Sequence, residues 1–275
     1  SLGRLQAYSS RDERIRVFTE ENKGAGAARN RGLTEATGKY MLFLDCDDFF
    51  EPDMVQLAYE KAEEQGAEIV IYKSDQYNMD SGEFVYENWA MIEWALPPYE
   101  PFGYRQISTN IFKAFVGWAW DKLYLREFVV KNDLKFQEQR TTNDALFVFS
   151  ALVLAEKIST VRKILIHRRV DTADSLSKTR EKSWDNFYRM LLALRQFLKD
   201  RGKWNELEKD FVNYALHFSL WNYNTLAEPT KTKLRNKLVS EWFEELGIRQ
   251  RHKEYFYNEY EYSQYEAMLK LQDTP

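Results

Sequence analysis

The chain has 275 residues, of which 44% are hydrophobic and 16% aromatic, and its formal net charge at pH 7 is −4. This length and apolar content suffice for a sizeable core in one large domain or two smaller ones. The mild acidity argues against a nucleic-acid-binding protein, which would carry a basic patch and a high pI.

Cysteine usage and hydropathy favour a cytoplasmic protein. Cys46 is the only cysteine, so the sequence has no disulfide framework and no thiolate metal cluster, as expected in a reducing compartment. No apolar run approaches the roughly 20 residues of a membrane-spanning helix. The start, Ser1 to Arg4, lacks the character of a signal peptide. Peripheral attachment at the inner face of a membrane, through an amphipathic face, stays open.

The first 35 residues predict a helix, a short strand and a second helix. Leu2 to Tyr8 has the apolar spacing of a helix end, and Ile15 to Phe18 has the composition of a strand. Ala25 to Glu35 then predicts a helix whose first turn follows Gly24 and contains Gly26. Glycines at this place would let a ligand approach the backbone.

An apolar run that stops at three carboxylates comes next. Tyr40 to Leu44 lacks polar alternates, which is typical of a strand buried on both faces of a sheet. On an extended chain, period-two geometry would place Asp45 and Asp47 on the same side. Two converging carboxylates suit a hard divalent cation that completes its shell with substrate phosphates. The alternative is that Asp47 and Asp48 merely begin a turn.

The following elements alternate between helix and strand. Asp53 to Gln65 predicts an amphipathic helix and Glu68 to Tyr72 a buried strand, and Lys157 to Val170 predicts another strand. This is an α/β layer pattern. Residues 74–94 indicate a hairpin or surface excursion, and the proline-rich residues 97–104 a loop that is either an acceptor rim or a simple connection.

The order N-x-G-x-x-x-A-R-N-x-G, short helix, G-x-Y, apolar strand, D-x-D-D over Ile15 to Pro52 resembles the inverting glycosyltransferases of family 2. The resemblance implies the GT-A fold, a Rossmann-like, mostly parallel sheet flanked by helices, here over residues 1–178. It also implies that an opening β-α unit, which in the family holds uracil and ribose, is missing before Leu2. From Lys182 onward the periodicity is wholly helical, so we expect a helical C-terminal domain over residues 179–275.

The resemblance also assigns the donor site and its metal. In the family, the Arg-Asn pair of the first motif contacts the sugar nucleotide, the D-x-D motif binds ribose and a divalent ion, and a basic and hydroxyl segment after the last strand meets the diphosphate. These roles fall on Arg29, Asn30, Asp45, Arg168 and Ser175 for the donor, and on Asp47 and His167 for Mn²⁺ or Mg²⁺. Alternatively, Arg29 is an exposed helix cation and His167 a structural histidine.

The general base and the acceptor site complete the assignment. The family carries E-D-x-x-F with the aspartate as base, and here Asn143 replaces the glutamate while Asp144 and Phe147 are in place. Taken alone, Asp144 would be interpreted as a helix cap. Trp118 and Trp120, in a segment similar to the family's W-x-K-L-Y-x-R, would share one side of an extended chain and offer aromatic faces to an acceptor sugar. Core packing is the alternative for both.

These features predict a glycosyltransferase that moves a sugar from a nucleoside diphosphate sugar, most simply a UDP-sugar, with inversion. The acceptor would be a saccharide, a lipid-linked sugar or a protein, in the synthesis of bacterial cell-surface polysaccharide or glycan. One alternative is a non-catalytic nucleotide-sugar or carbohydrate-binding relative, suggested by Asn143 and the missing unit. Another is a nucleotidyltransferase, for which no glycine- and basic-rich phosphate loop is visible. Self-association stays open.

Overall fold

A six-stranded sheet organises the part of the chain that the computed structural model describes, which comprises residues 2–170, 176–249 and 251–270. The order along the sheet is β1-β5-β3-β6-β2, and β4 pairs with the far half of β3. The strands are β1 Tyr40–Leu42, β2 Phe49–Phe50, β3 Ile69–Asn78, β4 Phe84–Tyr86, β5 Lys122–Leu125 and β6 Ile158–Val170.

The sheet is mixed, which corrects the expectation of a mostly parallel one. β3 and β6 are the parallel pair in the described residues, and the other pairings are antiparallel. The reason is that β5 inserts against the direction of its neighbours β1 and β3, and β2 doubles back along β6. β1, β3 and β6 nevertheless run the same way, so their carboxyl ends meet at one edge of the sheet.

Helices cover both faces of the sheet and form most of the chain after β6. In the described residues they are α1 Leu2–Ser9, α2 Ala25–Glu35, α3 Met54–Gln65, α4 Ile111–Ala114, α5 Arg126–Lys131, α6 Ala145–Leu154, α7 Asn186–Asp200, α8 Trp204–Thr225, α9 Thr230–Lys237, α10 Phe243–Glu245 and α11 Glu259–Lys270. Short 3₁₀ segments lie at Glu93–Ala95, Tyr104–Gln106, Leu176–Ser183 and Lys253–Tyr255, and a π-helical turn spans Leu238–Trp242. None of these described helices has the length and apolar content that crossing a membrane requires.

Two apolar cores lie on opposite faces of the sheet, as β3 shows. Ile69 and Ile71 belong to the larger core, whereas Val70 and Tyr72 belong to the smaller one beneath α3. This alternation is the period-two geometry of a strand buried on both faces. The predicted strands at β3 and β6 and the predicted helices α2 and α3 are therefore confirmed.

The larger core continues from the sheet through α6 into the C-terminal helices. Eight of the ten residues of α6 are buried, because the sheet lies on one side of this helix and α7 packs on another. Side chains as distant in sequence as Met41, Phe147, Phe211 and Phe243 belong to one apolar cluster. The domain division at residue 178 stays a prediction, and the C-terminal helices share their core with the sheet.

The predicted strand at Ile15–Phe18 is wrong, and β1 is shorter than predicted. Ile15 and Phe18 are 38% and 44% exposed, and Phe18 instead contacts the guanidinium of Arg31. A strand needs a neighbour for its backbone hydrogen bonds, and no described segment pairs with residues 15–18. β1 pairs with β5 on one edge and with no described strand on its other edge, and Leu44 is 41% exposed.

Candidate functional site

The first motif packs helix α2 against residues 136–139. A Cβ placed on Gly26 would lie 2.0 Å from the carbonyl oxygen of Gln137, so only glycine allows this approach. The amide of Asn30 donates to the Phe136 carbonyl (2.9 Å), and its Oδ1 accepts from the Phe136 N–H (2.8 Å). Gly26 and Asn30 therefore hold a protein segment here. The space beside Gly26 that the sequence predicts for a ligand is filled by Gln137, while the donor contact of Asn30 stays a prediction.

Arg29 joins three parts of the chain. Its Nη2 donates to Asp45 Oδ1 (2.6 Å), and its Nη1 donates to Asn143 Oδ1 (2.7 Å). The guanidinium also lies over the ring of Phe136, and 13% of the side chain is exposed. Arg29 is thus a largely buried bridge between α2, the end of β1 and the start of α6, and the alternative of an exposed helix cation does not hold.

The D-x-D segment is a turn rather than a continuation of β1. The strand ends at Leu42, and the Asp48 N–H donates to the Asp45 carbonyl, so the period-two argument for Asp45 and Asp47 does not apply. Asp45 binds Arg29, whereas Asp47 is exposed and has no partner among the described residues. Burial raises the pKa of Asp48 to about 6, although the hydrogen bond that its carboxylate accepts from the Arg169 N–H opposes this shift.

A divalent ion fits this turn only as a partly hydrated one. No three acidic, histidine or cysteine side chains of the described residues form a ready cage for a metal. Mg²⁺ and similar ions bind through one or two carboxylates and keep the rest of their shell for water and phosphate. The exposed carboxylate of Asp47, with Asp45 and Asp48 in the same turn, suits that mode of binding.

His167 links three strands. Its Nδ1 lies 2.7 Å from Asp75 Oδ1 and its Nε2 lies 3.0 Å from Glu51 Oε1, while Phe49 stacks on the ring. Burial raises the pKa of Asp75, and the hydrogen bond to His167 opposes that shift. Both ring nitrogens are used by carboxylates, so a metal contact would require one of these bonds to break. The metal role of His167 stays a prediction.

Arg168 lies on the same strand, and a buried acid holds it. Its Nη2 donates to Glu87 Oε1 (2.8 Å), and its guanidinium lies over the ring of Trp118. The buried Nε has no hydrogen-bond acceptor in the described part of the chain. Ser175, the other residue predicted for the diphosphate, lies outside the described residues.

The two tryptophans predicted for the acceptor pack against each other. The rings of Trp118 and Trp120 stack with centroids 4.6 Å apart, as two side chains on one side of a segment would. Trp120 is only 4% exposed, so the interpretation of its ring as a platform for a sugar is corrected to core packing. Trp118 touches Arg168 and the edge of Trp89, which is 49% exposed. Sequence reasoning missed Trp89 because it belongs to no motif.

Asp144 lies directly before α6, near the charges of Arg29 and Asp45. It occupies the N-cap position, yet its side chain makes no capping hydrogen bond, which removes the main alternative for it. Burial raises its pKa, the charge of Arg29 opposes the shift, and the charge of Asp45 adds to it. A carboxylate with a raised pKa is a better proton acceptor at neutral pH.

A buried ion pair fixes the segment that carries the tryptophans. Lys122, fully buried, donates from Nζ to Asp121 Oδ1 (2.6 Å) and to the carbonyls of Val116 and Trp118. Burial raises the pKa of Asp121 to about 6, against the pull of the Lys122 charge. Since a buried charge needs such partners, Lys122 serves the backbone of this loop.

The comparisons with known proteins agree with this geometry. Residues 2–129 match the model of the family described as glycosyl transferase family 2. The chain is 25% identical to EpsH of Bacillus subtilis over 238 residues, 26% identical to a cholesterol galactosyltransferase of Borreliella burgdorferi over 226, and 35% identical to the glycosyltransferase GlyG of Streptococcus pneumoniae over 171. These alignments cover 85, 79 and 59% of the chain, and the chain spans 67, 61 and 55% of the three relatives.

The fold is similar to that of a solved structure. The crystal structure of residues 1–349 of S. aureus TarS, in complex with UDP-GlcNAc, superposes with a TM-score of 0.53 at 17% sequence identity. The match covers 96% of this chain and 80% of that one. The mixed sheet, its flanking helices and the helical C-terminal region are thus those of a GT-A fold.

Proposed function

We propose that the chain is a family 2 glycosyltransferase, since residues 2–129 match that family's model, and that it transfers a sugar from a nucleoside diphosphate sugar to an acceptor hydroxyl with inversion at carbon one. One observation carries the proposal. Arg29 binds both Asp45 of the donor motif and Asn143, the neighbour of Asp144. The turn that contains Asp45 and the segment that contains Asp144, which are 99 residues apart in sequence, are therefore joined through Arg29, as a donor-binding turn beside a base requires.

The reaction needs one proton acceptor and one means of stabilising the leaving diphosphate. As the acceptor oxygen attacks carbon one, its proton passes to the carboxylate of Asp144. The bond between carbon one and the diphosphate oxygen breaks, and the nucleoside diphosphate leaves with the electron pair. A single base on the face opposite the leaving group gives inversion, and the raised pKa of Asp144 improves it as an acceptor.

A divalent ion, Mn²⁺ or Mg²⁺, would be held by Asp47 with help from the same turn. When bound, it would neutralise charge that develops on the diphosphate. The chain itself supplies Arg29 and Arg168 as cations near the donor, and both are anchored by carboxylates. The acids Asp45, Asp47 and Asp48 would repel a diphosphate in the absence of such an ion, which supports a metal-dependent donor site.

The donor that we propose is a UDP-sugar, because the structural relative TarS was crystallised with UDP-GlcNAc. The acceptor is proposed to be a saccharide, a lipid-linked sugar or a protein, in the synthesis of bacterial cell-surface glycans. Trp89 is our candidate for contact with an acceptor sugar. It is exposed, and it lies one ring away from Arg168 through Trp118. Aromatic faces suit the apolar side of a pyranose.

The experiment that tests the function is a panel of nucleotide sugars incubated with the protein and Mn²⁺. We expect hydrolysis of one donor, its loss on chelation of the metal, and an inverted anomer of the released sugar by early-time NMR. Donor binding by calorimetry without any turnover would favour the non-catalytic alternative that Asn143 suggests. Release of pyrophosphate from a nucleoside triphosphate and a sugar phosphate would instead indicate a nucleotidyltransferase.

A further inference from the structure

A buried acid, Glu87, lies behind Arg168. Its side chain is 1% exposed, and its Oε1 accepts from Arg168 Nη2 (2.8 Å) and from Gln76 Nε2 (2.6 Å). The other oxygen, Oε2, lies 3.5 Å from the hydroxyl of Ser74. Glu87 belongs to none of the segments that resemble the family's motifs.

The sheet places these groups together. Tyr86 of β4 pairs with Asp75 of β3, so Glu87 follows directly and lies beside Ser74. Gln76 pairs in register with Arg168 of β6. Because side chains alternate along β3, Ser74 and Gln76 share the face on which Glu87 lies, whereas Asp75 points to the other face and meets His167.

Burial of Glu87 needs an explanation beyond apolar packing. The three residues of β4 that precede it, Phe84, Val85 and Tyr86, are all exposed, so the strand contributes no buried side chain of its own. An ionised carboxylate is costly to bury unless a charged partner and hydrogen bonds compensate. Among the described residues, Arg168 is the cation that pairs with Glu87. The hairpin of β3 and β4 thus places the carboxylate of Glu87 against the guanidinium of Arg168.

Arg168 is held but not fully satisfied. Glu87 binds one terminal nitrogen, Trp118 lies beneath the plane of the guanidinium, and 27% of the side chain remains exposed. Its buried Nε has no acceptor in the described residues. The 27% of the side chain that remains exposed leaves guanidinium N–H groups that an incoming anion can contact.

We propose that Glu87 is a positioning residue, whose carboxylate fixes the Arg168 guanidinium in the orientation that receives the diphosphate of the donor. The inference rests on the proposed function and deepens it, because it names what orients the phosphate-binding arginine. Fixing an arginine in advance reduces the rotamer freedom lost on binding, which strengthens the bond to phosphate. The same carboxylate ties the hairpin, and hence Trp89, to the donor site.

The test compares nucleotides with and without the second phosphate. UDP, GDP and dTDP, each with its monophosphate, are titrated calorimetrically with Mn²⁺ into the full chain. The variants are Glu87→Gln, Arg168→Gln and the double variant, which leaves no unpaired buried charge. Glu93→Gln is the matched control, because Glu93 contacts Lys73 and the Tyr86 hydroxyl of the same hairpin and does not touch Arg168.

We expect Glu87→Gln to weaken binding of the preferred diphosphate about tenfold and binding of its monophosphate less than about twofold, with Glu93→Gln unchanged. Arg168→Gln should lose at least as much, and the double variant no more than Arg168→Gln alone, since both residues act through one group. Equal weakening of diphosphate and monophosphate by Glu87→Gln would show a merely structural role and overturn the inference, as would additive losses. If the wild-type chain binds none of the diphosphates, the proposed function itself fails, and the inference fails with it.

Discussion

The two sides of the site are built in different ways. On the α2 and α6 side, Arg29 binds both Asp45 and Asn143 directly, and all three lie in recognisable sequence motifs. On the β6 side, His167 and Arg168 are each held by a buried acid, Asp75 or Glu87, that no motif contains. The first side is built around Arg29 from motif residues alone. On the second side, acids that lie outside any motif hold the motif residues in place. A motif therefore identifies the cations of a site more readily than the groups that orient them.

The largest effect that we expect is on the motif side. Asp144→Asn should reduce turnover about 10²–10⁴-fold with donor affinity retained, because the variant loses the proton acceptor and no donor contact. Steady-state kinetics and UDP titration measure the two quantities. Asp185→Asn is the control, since Asp185 also precedes a helix without capping it. Equal turnover of Asp144→Asn and wild type would mean that Asp144 is not the base.

A pH profile sharpens the same prediction. Burial raises the pKa of Asp144, so the acidic limb of kcat/KM should lie above the ordinary range of an aspartate, with a tenfold loss per pH unit below it. Folding stability depends on pH in the opposite direction to activity. The folded state favours the protonated form, so the stabilisation present at low pH is lost as pH rises through the raised pKa. Asp144→Asn should therefore melt at a higher temperature than wild type at pH 7, and a lower melting temperature would contradict this account.

Arg29→Gln tests whether the motif side depends on its bridge. The variant loses two charge-assisted hydrogen bonds, so we expect a cost of about 1.5–3 kcal/mol in the free energy of unfolding and a loss of roughly tenfold or more in kcat/KM. Since the charge of Arg29 lowers the pKa of Asp144, the acidic limb should also move to higher pH. Arg31→Gln, on the same helix with an exposed i,i+4 pair to Glu35, should change neither quantity by much. If the acidic limb of kcat/KM does not move in Arg29→Gln, the charge of Arg29 does not control the pKa of the group that acts as base.

On the β6 side, His167→Gln distinguishes a structural histidine from a metal ligand. Loss of one of its two carboxylate contacts should cost about 1–3 kcal/mol of stability, because Asp75 is buried. If the ring holds only Asp75 and Glu51, the affinity for Mn²⁺ measured in the presence of UDP should stay within about twofold. A tenfold or larger loss of Mn²⁺ affinity, beyond the loss in stability, would restore the metal role that the sequence predicted for His167.

The smallest effect is expected at Trp89, the exposed candidate for contact with the acceptor sugar. Trp89→Ala should reduce the rate with a saccharide acceptor about 2–10-fold, the range for one aromatic contact, and leave donor hydrolysis unchanged. The probes are p-nitrophenyl glycosides of glucose, galactose and N-acetylglucosamine. Trp94→Ala is the control, because Trp94 is more exposed still, at 76%, and does not touch Trp118. A loss in donor hydrolysis would place Trp89 in the donor site instead.

The order of elements and the proximity of the motifs could be predicted from the sequence. Helix α2 has the predicted bounds, and α6 begins directly after Asp144 as its apolar run indicates. The resemblance assigns Arg29 and Asp45 to one donor site, and the structure brings their side chains into contact. Local periodicity and motif order carry this information because each is contained in a short stretch of chain.

Pairing partners could not be predicted, because they depend on the chain that lies alongside. β5 is a four-residue strand whose direction follows from its neighbours, and this made the sheet mixed. Residues 15–18 have strand composition but no partner. The glycine at position 26 is typical of a loop that a ligand approaches closely, yet the carbonyl of Gln137 occupies the space beside it. Asp75 and Glu87 are ordinary acids in sequence, and only the register of β3 with β4 and β6 shows that each meets a cation.

Because of strand β3, we expect the free energy of local opening to differ strongly between parts of the sheet. It pairs with β6 along its whole length and with β5 and then β4 on its other edge, whereas β1 and β2 are three and two residues long. Amide protons of β3 should therefore exchange with deuterium only through global opening, while those of residues 40–50 exchange through local fraying. The acidic turn lies between the two short strands, so we expect its amide protons to exchange through the same local opening. Asp144 directly precedes α6, whose residues are mostly buried in the larger core, so we expect this end of the site to open only when that core does.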